Sequence, residues 1–199
     1  VIAAYAVCAS KGYIYLRSEY PLAKDFLIRA IDIALDNNYL GNNIQNSDFN
    51  FDIELRIGAG SYVCGEETAM MESIEGRRGL VRSKPPLPAI NGLFGQPTLI
   101  NNVVTLATIP ALLLSDQSDF SQIGSNKSIG TMPFQLSGNV NHGGLIETRF
   151  DISLNEIVKD FGYGTKSGEP IHAIQIGGPL GIYLSSSMLD TSLTIESLQ

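Results

Sequence analysis

Residues 58–73, Gly-Ala-Gly-Ser-Tyr-Val-Cys-Gly-Glu-Glu-Thr-Ala-Met-Met-Glu-Ser, join a glycine-rich turn to a helix that opens on Glu66 and Glu67. Glycines at such a turn let a ligand come close to the backbone. The helix start adds free N–H donors, and loops of this shape commonly hold a phosphate. Two carboxylates where the anion would sit argue against that use. Carboxylates accept hydrogen bonds from hydroxyls and amides, so the pattern suits a nucleotide-derived cofactor read by its ribose or its nicotinamide amide. The same acidic pair also has a purely structural use, because acids in a first helical turn contribute about 0.3–1 kcal/mol each through the helix dipole.

The elements that must position this run follow from periodicity. Residues 1–10 read as the end of a helix and Tyr13–Leu16 as a buried strand. Pro21 suits a first helical turn, and apolar residues recur at helical spacing through Phe26, Leu27, Ala30, Ile31 and Ala34. A polar loop over 41–50 leads to an alternating strand, Phe51–Ile57. Strand, helix and strand with the candidate loop after the last strand is α/β logic, in which ligands gather at the carboxyl ends of strands.

Beyond the helix that starts at Glu66, residues 76–97 are rich in Pro and Gly and too long for a simple connector. A second helix is expected from Asn102, a natural cap, to Leu114. Residues 115–130 read as a polar link. From Thr131 the pattern becomes a hairpin (134–138 and 145–150), a short helix capped by Ser153 with Glu156 in the capping-box position, and a strand over 171–176.

Composition narrows the function classes. The chain has 199 residues, a net charge of −7 and two cysteines, Cys8 and Cys64. The negative balance argues against nucleic acid or an anionic membrane as partner, and no apolar run is long enough to span a bilayer. The cysteines suit a reduced, cytoplasmic setting, with peripheral attachment to the cytoplasmic side of a membrane left open. His142 and His172 stand alone, so no metal site is expected. No nucleophile or acid/base pair emerges, so no catalytic side chain is expected either. The chain starts on an apolar helix already in progress, which reads as a segment of a longer protein.

The run 58–73 resembles a signature of the flavin-binding subunit of respiratory complex I, shared with NAD-reducing hydrogenases and NAD-dependent formate dehydrogenases. The resemblance extends through residues 12–21, 75–79, 82–86, 92–98 and 101–105. It implies a Rossmann-like FMN- and NAD-binding α/β portion over 1–115, a linker over 116–130 and a small β-grasp (soluble ligand-binding) domain over 131–199. It implies hydride transfer between NAD(H) and FMN and electron transfer to iron–sulfur clusters, with the 4Fe-4S cluster of the parent protein outside this segment. The implied partners are other subunits of the dehydrogenase, iron–sulfur and molybdopterin or quinone-module proteins.

Matched residue by residue, Gly65, Glu66 and Glu67 line the flavin–nicotinamide pocket, with Glu67 accepting from an NAD(H) ribose. Tyr62 lies near the nucleotide, Lys84 neutralises phosphate, and Asn101, Asn102 and Thr105 face the flavin. Leu87 and Val104 depart from the pattern, where many members carry an aromatic and an acidic residue. The run 175–184 with 188–191 resembles the formate dehydrogenase β subunit. The family's glycine-rich flavin-phosphate loop lies upstream, so this segment alone is expected to hold FMN weakly. Two further readings stand beside the formate dehydrogenase one: a complex I-type flavin subunit, and a non-catalytic scaffold with a β-grasp binding module.

Overall fold

The computed structural model describes residues 1–114, 120–125, 127–178, 181–194 and 197. They form two compact units, Val1–Asn102 and Val103–Gln199.

In the first unit, a short helix α1 (Ile2–Ala6) precedes strand β1 (Lys11–Arg17). Helix α2 (Pro21–Asp36) then crosses to strand β2 (Asp52–Gly58), with Pro21 in its first turn where a missing N–H costs nothing. β1 and β2 pair in parallel from Lys11 opposite Asp52 to Arg17 opposite Gly58. Ala4, Leu40, Ile44 and Phe51 form the buried core, and Ile31 and Ala34 of α2 pack on it. The expected polar loop over 41–50 is therefore not merely a connector. Ile44 anchors it in the core, the Phe49 ring stacks 6.1 Å from Phe51, and Gly41 bridges Phe51. An isolated Ile in a polar stretch has no periodicity to betray it.

Both strands end together, Arg17 opposite Gly58, and β2 leads into the glycine-rich run. A 3₁₀ turn, Tyr62–Gly65, leads into helix α3 (Glu67–Ile74). Tyr15 on β1 ties the strand to this helix through a 2.8 Å hydrogen bond with Ser73. Burial pushes the Tyr15 phenol up, outweighing the opposing effect of the Ser73 hydroxyl. The expected long Pro/Gly loop is pinned at several points. The Thr98 hydroxyl accepts from the Leu93 amide at 2.9 Å, and the Thr98 amide donates to the Pro88 carbonyl at 2.9 Å.

The second unit opens with α4 (Val103–Leu114), one residue later than the expected start, with Pro110 in its interior. Of the expected link over 115–130, residues 115–119 and 126 lie outside the described residues. Within the rest, β3 (Gly124–Ser125) and β4 (Ser128–Ile129) pair antiparallel. The expected hairpin is β5 (Thr131–Leu136) with β6 (Gly144–Arg149), in register from Thr131 opposite Arg149 to Leu136 opposite Gly144. The capping box at Ser153 and Glu156 is formed and starts α5 (Leu154–Glu156), which widens into a π turn at Ile157–Phe161.

β7 (Ala173–Ile176) pairs antiparallel with β8 (Ile182–Ser185), a strand the sequence reading missed. Ile152, Leu154, Ile157, Leu184 and Leu193 make one core, with Phe134, Ile146, Ile174 and Ile176 packed on it. One core thus joins both hairpins to α5, although among the described residues each strand ladder is two-stranded. Among those residues no helix is long and apolar enough to cross a membrane.

Candidate functional site

A cleft of about 680 Å³ opens at the carboxyl ends of β1 and β2. Arg17 lines it from the strand end, and residues 60–66 line it from the glycine-rich run. Its volume lies within the range of small-molecule sites. Gly65 has open space over its Cα: a Cβ there meets no atom within 4 Å. Its φ is not positive, so the backbone does not demand glycine at that point. A smooth, open wall facing a cleft is the remaining use for it. Gly60 differs, since its φ of +89° requires the left-handed region and a Cβ would lie 2.8 Å from Glu19 Oε1. Tyr62 is 79 % exposed, so its ring contributes to no core and is available to a ligand.

The two carboxylates turn out to have different duties. Glu66 is the N-cap of α3. Its Oε2 accepts from the Thr68 amide at 2.8 Å, the Ala69 amide at 2.9 Å and the Thr68 hydroxyl at 2.5 Å. Burial opposes its ionisation, but the Thr68 hydroxyl, these amides and Lys84 outweigh it and hold the carboxyl below its usual range. The structural use foreseen for the acidic pair is therefore realised in one oxygen of Glu66. Its other oxygen, Oε1, stands 3.5 Å from Lys84 Nζ, and Glu67 forms an ion pair with the same ammonium. The lysine expected to neutralise a phosphate is thus engaged by both carboxylates, and its own pKa is raised, first by the Glu67 hydrogen bond.

Asn101 and Asn102 are exposed at the end of the first unit and do not line the cleft. Thr105 lies exposed in the first turn of α4, in the second unit. Leu87 is exposed. Among the described residues, no group of three or more His, Cys, Asp or Glu is arranged to hold a metal ion.

Behind the cleft, Arg82 organises the loop that carries Lys84. Its Nε donates to Glu72 at 2.5 Å and Nη1 to the Gly92 carbonyl at 3.1 Å, while Nη2 stands 2.9 Å from Glu75. Arg77 meets the same two carboxylates. Hydrogen bonds from Arg77 and then Arg82 hold the Glu72 carboxyl at about 2, against an ordinary 4.5. Burial opposes ionisation of Glu75, but the Phe94 amide and Arg82 overcome it and keep that carboxyl low. Depressed carboxyls stabilise the fold above their unfolded values and lose that contribution as pH falls through the folded ones. Thermal melts of the chain are expected to be insensitive to these groups above about pH 5 and to drop between about pH 4.5 and 2. In an Arg77→Gln/Arg82→Gln chain that acid-side drop is shallower. An unchanged slope refutes the assignment.

The sequence reading named Gly65, Glu66 and Tyr62, which the structure places on one cleft. It passed over Thr68 and Arg82, whose signal was a small hydroxyl directly after a helix-opening acid and an arginine two residues before the lysine.

Comparison with known proteins supplies the context. Residues 1–111 match the family described as Complex1_51K, the Nuo51 FMN-binding domain. The chain is 47 % identical over 197 residues to the HndC subunit of the NADP-reducing hydrogenase of Solidesulfovibrio fructosivorans, covering 99 % of this chain and 40 % of that protein. It is 41 % identical over 198 residues to an NADH-quinone oxidoreductase subunit of Escherichia coli (strain K12), covering 100 % of this chain and 44 % of that protein. Among solved structures, an NAD⁺-reducing [NiFe]-hydrogenase in the H₂-reduced state matches with a TM-score of 0.84 at 32 % identity, over 100 % of this chain and 33 % of that one. The chain therefore spans less than half the length of these relatives.

Proposed function

Because the chain belongs to the Nuo51 FMN-binding domain family, we propose that it is part of a flavoprotein subunit that passes hydride between NAD(H) and FMN and electrons onward to iron–sulfur clusters. The observation that carries this reading is the cleft at the β1/β2 carboxyl ends, walled by bare Gly65, exposed Tyr62 and the Glu66 carboxylate, with Glu67 the next residue along the chain but not on the lining. The chemistry of these groups fits the implied cofactors: open backbone for a flat ring, an exposed aromatic face, and acceptors for ribose hydroxyls or an amide. FMN, when bound, supplies hydride acceptance and one-electron release.

The chain's own residues bind and orient. Gly65 admits the ring edge, Tyr62 covers an aromatic face, and Glu67 accepts from the nucleotide's hydroxyls. Glu66 keeps α3 in place and offers Oε1. Lys84 balances the two carboxylates and is the cation offered to a phosphate. Asn101 and Asn102, outside the cleft lining but in the same unit, offer amides to a flavin. The fold completes as a Rossmann-like α/β portion over 1–115 followed, after a linker at 116–130, by a β-grasp domain at 131–199. The one core shared by the two hairpins and α5 supports the last assignment.

The subunit works with iron–sulfur and other subunits on the cytoplasmic side. Relatives named for NADH-quinone oxidoreductase and for hydrogenase support a complex I-type or hydrogenase-type setting. The formate dehydrogenase setting rests on the run 175–191, of which 179 and 180 lie outside the described residues. Subunits that co-purify with the full-length protein discriminate: a molybdopterin protein selects formate, a quinone module selects complex I. For the core proposal, full-length protein is mixed with FMN and then NADH without oxygen. Bleaching of the flavin absorbance is expected; a protein that never takes up flavin is instead a non-catalytic scaffold.

A further inference from the structure

Thr68 is 2 % exposed, yet its hydroxyl carries two hydrogen bonds in opposite directions. It donates to Glu66 Oε2 at 2.5 Å and accepts from the Arg82 amide at 2.9 Å. Arg82 is fixed at its other end by Glu72, Glu75 and the Gly92 carbonyl. Two residues further on, Lys84 reaches Glu67 and Glu66 Oε1. One buried hydroxyl therefore joins the N-cap of α3 to the loop that returns a cation to the N-terminus of the same helix. No other described contact couples the Arg82 backbone to the carboxylate pair.

We infer that Thr68 is a positioning residue for dinucleotide binding: its hydroxyl commits one oxygen of Glu66 to the helix cap and holds the 82–84 loop so that Lys84 balances the remaining oxygen and Glu67. The inference rests on the cleft being the dinucleotide site. Thr68 touches no ligand in this scheme. It divides the labour within the pair, fixing Glu66 and leaving Glu67 to move between Lys84 and a ribose. A valine of the same shape keeps the packing but removes both hydrogen bonds. The partly buried Arg82 amide then lacks its acceptor, which is costly enough to shift the loop.

The test uses full-length protein loaded with FMN. NAD⁺, which carries no hydride and cannot reduce the oxidised flavin, is titrated calorimetrically across pH 4–8 into wild type, Thr68→Val, Thr68→Ala, Thr68→Ser and Glu67→Gln. Thr68→Val and Thr68→Ala are expected to raise Kd about tenfold with unchanged FMN content, and Thr68→Ser to stay within about twofold of wild type. The acid-side loss of affinity moves to higher pH in the Val and Ala variants, because Glu66 has lost a donor. Arg82 amide exchange quickens in ligand-free Val and Ala variants and is restored in Ser; a merely space-filling threonine moves neither readout. Two folded variants guard against loss of fold in one. Wild-type affinity and pH profile in Thr68→Val, with weakened binding in Glu67→Gln, overturn the positioning role and leave the functional reading intact. Equal losses in Val and Ser overturn it too. No effect in any variant, Glu67→Gln included, removes the cleft as the dinucleotide site and the inference with it.

Discussion

A Gly65→Val chain folds normally but loses its cofactors. A Cβ at this position meets nothing within 4 Å and the φ is not positive, so neither packing nor backbone opposes the substitution. The melting temperature is expected to stay within about 2 °C of wild type, as for surface changes away from special features. A branched side chain on the wall of the cleft stands where, on the proposed function, a ring approaches the backbone. Affinity of the full-length protein for FMN or NAD⁺ is expected to fall about 100-fold or more, equivalent to about 2.7 kcal/mol. Flavin retention through gel filtration and calorimetric titration of NAD⁺ check it. Gly60→Val is the contrasting control. Its φ of +89° and its contact with Glu19 make that change a folding defect. A Gly65→Val protein that remains yellow and binds NAD⁺ as wild type does would falsify the placement of the cofactors in this cleft.

An Arg82→Met chain is expected to lose about 2 kcal/mol of stability. The Glu75 side chain is only 5 % exposed and is faced by both Arg82 and Arg77, while Arg82 also holds Glu72 and the Gly92 carbonyl. Methionine fills similar volume but leaves a nearly buried carboxylate with only the more exposed Arg77 as counter-charge, and leaves the Gly92 carbonyl without its donor. Lysine restores the charge but not the fork: a single ammonium does not span two carboxylates and a carbonyl in three directions. Arg82→Lys is therefore expected to recover less than half of the loss. Denaturant titrations of the three chains at pH 7 decide it. Stability of Arg82→Met within about 0.5 kcal/mol of wild type excludes the clamp.

The local elements were legible because each has a local physical cause. Pro21 starts α2, alternation marks β2, and Ser153 with Glu156 writes a capping box that the structure forms in full. The turn and helix start in the run 58–73 were legible because glycines and a carboxylate pair at a helix start are adjacent in the chain. Ile44 in the core and β8 opposite β7 were not legible. Each depends on a partner distant in the chain, and neither carries a period of its own.

The sequence by itself determined the family, the α/β order of the first unit and the residue types on the cleft wall, because these are written in short contiguous runs. Only the tertiary structure decided what each residue does there. The sequence presents Glu66 and Glu67 as equals, but folding brings three donors onto Glu66 and a lysine from 17 residues away onto Glu67. It presents Thr68 and Arg82 as ordinary polar residues, yet burial turns one into a two-way hydrogen-bond link and the other into a clamp. Burial is the physical reason: a hydrogen bond or an ion pair acquires its weight from what surrounds it, and the surroundings are supplied by chain that folds back from elsewhere.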